Sequence, residues 1–287
     1  MIKEVVIISG KGGTGKTSIA ASFAALAENA VIADCDVDAA DLHLVLSPEI
    51  QESGNFTGGK KAFVNPGLCM GCGDCVLFCR FNAIGDYFTV DPLACEGCGV
   101  CARFCPTDAI EMRDHVSGNW FVSSTAHGPM VHAKLCIAEG NSGKLVTLIR
   151  KKAKEIAERE KRGPVIVDGS PGTGCPVIAT LTGAHYALIV TEPTVSGLHD
   201  LERIYELARR FRMKIAVCVN KADINPEMTE RIRGFCAEKK YAAFVVEIPY
   251  DDDVTAAIVA GKPLVAHSRG AAARGIEEMW RKIANEL

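Results

Sequence analysis

Between residues 69 and 105 the chain carries cysteine in two bursts. The first is Cys69, Cys72, Cys75 and Cys79; the second is Cys95, Cys98, Cys101 and Cys105. Both read C-x-x-C-x-x-C-x-x-x-C, offset by 26 residues, and Asn82-Ala83-Ile84 is echoed by Asp108-Ala109-Ile110. The stretch is therefore an internal repeat. A unit this short has too little apolar surface for an ordinary core, so what the thiolates bind must hold it together. A triplet with a trailing fourth cysteine is the spacing of iron–sulfur ligation, whereas zinc sites show two separated pairs. Cys35, Cys136, Cys175, Cys218 and Cys236 share no ligand spacing and read as packing residues.

The same chain opens on a second specific motif. Gly10-Lys11-Gly12-Gly13-Thr14-Gly15-Lys16-Thr17 fits G-x-x-x-x-G-K-[ST], with the strand Glu4–Ser9 before it and a helix predicted over Lys16–Glu28 after it. Glycines let backbone N–H groups close around phosphate oxygens, and a helix N-terminus adds a favourable dipole. Residues Gly10 to Thr17, with Ser18, form the expected phosphate cradle. Lys16 is expected to reach the β- and γ-phosphates and the Thr17 hydroxyl to ligate Mg2+.

The second strand, Ala30–Asp34, completes a βαβ opening and predicts a parallel sheet. Ser53-Gly54-Asn55 and Gly58-Gly59-Lys60-Lys61 then read as a turn-rich linker. After the cysteines the α/β pattern resumes. Strands are expected at Val165–Asp168, Tyr186–Thr191, Lys214–Asn220 and Ala243–Ile248. Helices are expected at Leu145–Arg162, Ser196–Phe211, Pro226–Lys240 and Arg274–Glu286. Asp114 to Asn141 shows no clear pattern. The expected fold is α/β, a mostly parallel sheet flanked by helices, in two parts (1–61 and 113–287) around a small inserted domain (62–112).

Two resemblances sharpen this reading. The cysteine segment resembles the bacterial two-cluster ferredoxins, an α+β fold in which the fourth cysteine of each run serves the other cluster. That rule implies one [4Fe–4S] cluster on Cys69, Cys72, Cys75 and Cys105, and another on Cys95, Cys98, Cys101 and Cys79. Pro106 follows Cys105 as in that pattern; Arg80 follows Cys79 instead.

The rest of the chain resembles the MinD/ParA/Mrp superfamily of P-loop ATPases, the SIMIBI class. The mark is Lys11, the extra lysine of a deviant Walker A loop, which in that family crosses a dimer to the partner's phosphates. Asp34-Cys35-Asp36 resembles the family's D-x-D segment, implying that Asp36 orients the attacking water. Val167 to Gly174 resembles its switch II, D-x-P-P-G-x-G-D, with Asp168 holding Mg2+ through water and Gly172 sensing the γ-phosphate. Ser170 replaces the first proline and Cys175 stands where Asp is common. Lys11, Lys16, Asp36 and Asp168 are the catalytic candidates so implied. Asn220-Lys221-Ala222-Asp223 resembles the guanine-reading N-K-x-D of GTPases. In the MinD-like class, however, Asn220 and the Pro249 segment would line an adenine pocket, which favours ATP. The C-x-x-C pair that bridges some cluster-carrying relatives is not found.

Composition sets limits. A net charge of −3 gives no basic footprint for nucleic acid. No apolar run nears the roughly 18–20 residues of a membrane span. The N-terminus reads directly as a strand, so the expected location is the cytoplasm. The C-terminal helix puts Ile276, Met279, Trp280, Ile283 and Leu287 on one face, but mixed charges opposite argue for packing on the sheet over stable membrane association. Three functions stay open. The first is an ATPase that closes as a homodimer, or with a sister ATPase, to gate electron transfer to a redox partner. The second is an assembly factor delivering clusters or metal to a client protein. The third is a positioning ATPase with structural clusters.

Overall fold

The computed structural model describes residues 2–137, 139–140, 142–239 and 242–287. The chain begins β1 (Glu4–Ser9), α1 (Lys16–Leu26), β2 (Val31–Asp34), α2 (Leu42–Leu46) and β3 (Glu49–Val64). Two single-turn helices follow, α3 (Asp74–Leu77) and α4 (Val100–Arg103), then β4 (Ile110–Thr125) and β5 (Gly128–Leu135). The remainder alternates: α5 (Ser142–Arg159), β6 (Val165–Pro171), α6 (Cys175–Leu181), β7 (Tyr186–Thr191), α7 (Val195–Ala208), β8 (Lys214–Asn220), α8 (Pro226–Lys239) and β9 (Ala242–Ile248). It ends with α9 (Asp253–Val259), α10 (Leu264–His267) and α11 (Ala271–Ala284).

The strands form one sheet in the order β3-β4-β5-β2-β6-β1-β7-β8-β9. β1 lies between β6 and β7 and is parallel to both, and β2, β5, β8 and β9 join through parallel pairs. Every residue of β1, β2 and β7 is buried, as expected where helices cover both sheet faces and strands become continuous apolar runs. The charge inside β1 is compensated. Buried Glu4 takes Arg150 Nη2 and Lys154 Nζ, each at 2.6 Å. One core unites Val5, Ile19, Phe23, Leu188, Ile276 and Met279. Trp280 of α11 lies 5.0 Å from the Phe23 ring, so the apolar face of the last helix is packed inside the protein. Among the described residues no helix is long and apolar enough to cross a membrane.

The structure departs from the sequence reading at residues 53–61. The expected linker is strand: β3 runs unbroken through its glycines. A Cβ on Gly58 would stand 2.7 Å from the Phe56 ring and 3.2 Å from Ser117 Oγ, so glycine here makes room for an aromatic neighbour instead of a turn. The patternless region 114–141 contains most of β4 and all of β5, joined by Ala126 and His127. Asn141, its last residue, and Lys240, the expected end of α8, lie outside the described residues.

Two compact units result. One comprises the chain up to Ser53, Trp120–Lys134 and the chain from Ser142 onward; the other comprises Gly54–Asn119 and the described residues from Leu135 to the start of α5. The boundaries fall inside β3, β4 and β5 and at the start of α5. The smaller unit has its own buried set, in which Cys75, Cys95 and Cys101 stand beside Ala83, Ile84 and Ile110.

Candidate functional site

The nucleotide candidates gather at the carboxyl ends of the parallel strands, where α/β sheets bind ligands. β1 delivers the Gly-rich loop. Gly13 and Gly15 take left-handed backbone, at φ 78° and 93°. A Cβ on Gly15 would fall 2.5 Å from Asn220 Nδ2, and one on Gly10 would fall 2.4 Å from the Asp200 Cβ. Gly12 stays exposed, Thr14 is buried, and Lys16, Thr17 and Ser18 open α1. Lys16 is 4% exposed, its Nζ 3.7 Å from Asp36 Oδ2.

β2 and β6 run side by side in a register that pairs Asp34 with Asp168. Three acids are thus brought to the foot of the loop, and water reaches them poorly. Thr14 Oγ1, Asp34 Oδ2, Asp36 Oδ1 and both Asp168 carboxylate oxygens are buried without a hydrogen-bond partner among the described residues. Burial pushes the Asp168 carboxyl up to about 7, with the Lys16 charge opposing. Burial raises Asp36 as well, again against Lys16; burial and the nearby Asp168 hold Asp34 well above the usual carboxylate range. Buried, unpartnered acid oxygens beside a Gly-rich loop fit a hard divalent cation. Thr17 and Asp168 are the residues that would hold it.

The 167–174 segment is tied into this cluster. The Gly172 N–H donates to Ser9 O at 2.9 Å, with φ 89° at Gly172. Ser170, the departure from proline, is buried and donates its hydroxyl to Cys35 O at 2.7 Å. Cys35 N–H donates to Asp168 O at 2.7 Å. The segment holding Asp36 and the segment holding Asp168 are therefore joined twice. Cys175 is exposed at the first turn of α6.

Asn220 and Pro249, the expected base contacts, lie at the end of β8 and just after β9. Asn220 donates to Thr14 O at 2.9 Å, and its Oδ1 accepts from Lys221 N–H at 3.1 Å; in this structure it braces the phosphate loop. Pro249 lies in a loop pinned to the 220–223 turn, through Ala222 N–H to Ile248 O at 2.9 Å and Tyr250 N–H to Asp223 Oδ1 at 2.6 Å.

Sequence reasoning missed the loop after β7. Glu192 takes Lys11 Nζ at 3.3 Å and Lys221 Nζ at 2.6 Å. The Thr194 and Ser196 hydroxyls each stand 3.5 Å from Lys11 Nζ. The available signal was Thr194, a good N-cap before a helix, whose Oγ1 accepts from Gly197 N–H at 2.9 Å.

In the smaller unit the repeat is visible in the backbone. Gly71 and Gly97 have φ 73° and 65°, Gly73 and Gly99 have 85° and 75°, and Asn82 and Asp108 both have 51°. The Phe78 and Phe104 rings meet tilted, with centroids 5.1 Å apart. Ala83 N–H donates to Cys79 Sγ at 3.3 Å, and Ala109 N–H to Cys105 Sγ at 3.2 Å. The eight cysteines divide between two cavities. Cys69, Cys72, Cys75 and Cys105 line one; Cys79, Cys95, Cys98 and Cys101 line the other. Among the described residues no three His, Cys, Asp or Glu side chains are grouped to hold a single metal ion.

Residues 5–264 match the family model described as the CobQ/CobB/MinD/ParA nucleotide binding domain. The chain belongs to this nucleotide-binding family. It is also similar to two chains of Methanocaldococcus jannaschii. One, Uncharacterized protein MJ0578, is 34% identical over 99% of this chain and 97% of its own length. The other, Uncharacterized protein MJ0579, is 27% identical over 77% of this chain and 81% of its own. Solved structures share the fold. The Pyrococcus horikoshii septum site-determining protein MinD complexed with Mg-ADP has TM-score 0.59 at 16% identity, covering 99% of this chain and 96% of its own. MinD in the Aquifex aeolicus MinC:MinD complex has 0.57 at 20%, covering 99% and 97%.

Proposed function

We propose that this chain is a Mg2+-dependent ATPase whose nucleotide state gates electron transfer to a partner protein through two [4Fe–4S] clusters. The observation that carries the cluster half is the partition of the cysteines. Each cavity is lined by three thiols of one run and the fourth of the other, as the two-cluster rule requires. The lack of a one-ion ligand group is compatible with this, because each thiolate of a cluster binds its own iron and the sulfurs stand around a cube. Backbone N–H groups already aimed at Cys79 and Cys105 Sγ suit thiolates. Bound clusters would store and pass single electrons.

The nucleotide half rests on the family and on the acid cluster. Loop N–H groups and Lys16 would bind the phosphates. Thr17 and Asp168 would hold Mg2+, which when bound neutralises phosphate charge. Asp36, next to Lys16, would orient the water that attacks. Lys11 would serve a second chain in a dimer, once released from Glu192. Two relatives within one organism favour a sister chain as well as a second copy as that partner.

The deciding experiment is an anaerobic redox titration of the full chain, with iron and sulfide analysis, without nucleotide, with Mg-ADP and with a non-hydrolysable Mg-ATP analogue. About eight irons per chain are expected from two [4Fe–4S] clusters. A coupling of ~1–3 kcal/mol corresponds to a nucleotide-dependent shift of roughly 40–130 mV. A chain without iron, or potentials blind to nucleotide, refutes the reading. A positioning ATPase with structural clusters is the second reading, favoured by the fold shared with MinD and with a ParA family ATPase. It predicts nucleotide-dependent binding to lipid vesicles or DNA with unshifted potentials.

A further inference from the structure

The cysteine-bearing unit contains a third cavity that neither the nucleotide nor the clusters use. It is a cleft of about 600 Å3, open to solvent on one side and within the size range of small-molecule sites. Its walls come from β3 (Ala62, Phe63, Val64), the loop carrying Cys69, and the turn 87–92 between the two cysteine runs. No charged side chain lines it. The hydroxyl-bearing residues on its rim are Tyr87 and Thr89, both exposed.

The aromatic residues around it are set up unusually. Tyr87 is 91% exposed, a large apolar ring left in water by the fold. Phe88 holds φ 55°, a left-handed backbone that a bulky side chain rarely adopts. That geometry is imposed by a tight turn, in which Phe88 N–H donates to Gly85 O at 2.8 Å and Gly85 N–H to Thr89 O at 3.1 Å. The Arg113 guanidinium covers one face of the Phe63 ring, 3.4 Å from its centroid, and leaves the other face for the cavity. Val64, Cys69 and Phe88 line both this cavity and the cavity of the first cysteine set, so a single layer of side chains divides them.

We propose that this cavity binds a flat, uncharged, conjugated ring of the quinone class. Aromatic walls favour a planar π-system. The uncharged lining rejects ionic groups, since a buried charge without a partner is costly. The two hydroxyls can donate to ring carbonyls. The choice of an electron carrier over any other flat ring rests on reading Cys69 as a cluster ligand; the existence of a ring-binding site does not.

The test is calorimetric titration of the full chain, purified anaerobically, with duroquinone, whose fully substituted ring does not add to thiols. Iron and sulfide are measured on the same sample. Saturable binding at one site is expected. Tyr87→Ala should weaken it about three- to tenfold, the usual worth of an aromatic contact. Thr89→Trp, which fills the mouth from an exposed position, should abolish it. Doubly anionic anthraquinone-2,6-disulfonate should not bind there. Absence of saturable binding, equal binding by both variants, or equal affinity for the disulfonate overturns the site. Binding by a chain that holds no iron overturns the electron-carrier class.

Discussion

Asp168 faces two opposed demands: burial favours its neutral form, and the cation proposed to sit beside it would favour the charged one. Its pKa near 7 in the folded chain exceeds the value of 3.8 expected when unfolded. Between those values the folded chain holds a proton that the unfolded chain has lost, so the nucleotide-free protein loses stability as pH rises from about 4 to 7. Asp168→Asn should therefore stabilise the nucleotide-free chain at pH 8, by on the order of 1–3 kcal/mol, while abolishing Mg-ATP hydrolysis. Urea denaturation across pH together with a phosphate-release assay checks both halves. Glu192 is the other informative residue, since it holds the lysine thought to cross a dimer. Glu192→Gln should lower the analogue concentration needed for dimerisation about threefold to tenfold, as expected for loss of a half-buried ion pair of about 1 kcal/mol. Sedimentation measures it, and a wild-type chain that never dimerises would instead refute the role given to Lys11. The sequence displayed Asp168 because it follows an apolar strand inside a glycine-rich motif. Glu192 had no such marker: it meets Lys11 across more than 180 residues, and pairings of that range leave no local periodicity.

At the scale of elements, the buried strands were legible and the half-exposed ones were not. β1, β6, β7 and β8 are apolar runs between turn signals. β3 carries glycine, lysine and asparagine and β4 carries aspartate, glycine and asparagine, all of low strand propensity, and their pairing is decided by neighbours far along the chain. The short helices α3 and α4 escaped for a related reason: a single turn carries too few residues for a periodic signal. The glycines preceding them permit a sharp comparison. At Gly97 a Cβ would lie 2.0 Å from Lys60 O on a backbone with φ 65°, whereas at Gly99, with φ 75°, nothing stands within 4 Å. Gly99→Ala should cost about 1–2 kcal/mol from left-handed strain alone. Gly97→Ala should cost at least about 1 kcal/mol more, because β3 must also move. Comparative urea melts with iron content measure the difference, and equal costs would mean that β3 yields freely.

At the scale of the molecule, the two units rely on different cohesion. The larger has an extensive aliphatic and aromatic core, while the buried set of the smaller is cysteine, alanine and isoleucine. With the two clusters proposed above bound, iron chelation should erase amide-exchange protection in 54–119 while leaving β1, β2 and β6 protected; uniform loss of protection would show a single cooperative block. The exchange of cysteines between runs also bears on the history of the repeat. Cys79 stands among the second set and Cys105 among the first, so neither cavity is complete with one half of the duplication. Deleting either run would take thiols from both cavities at once. The trade works as a ratchet, keeping the pair together even if only one of its sites were ever put to use.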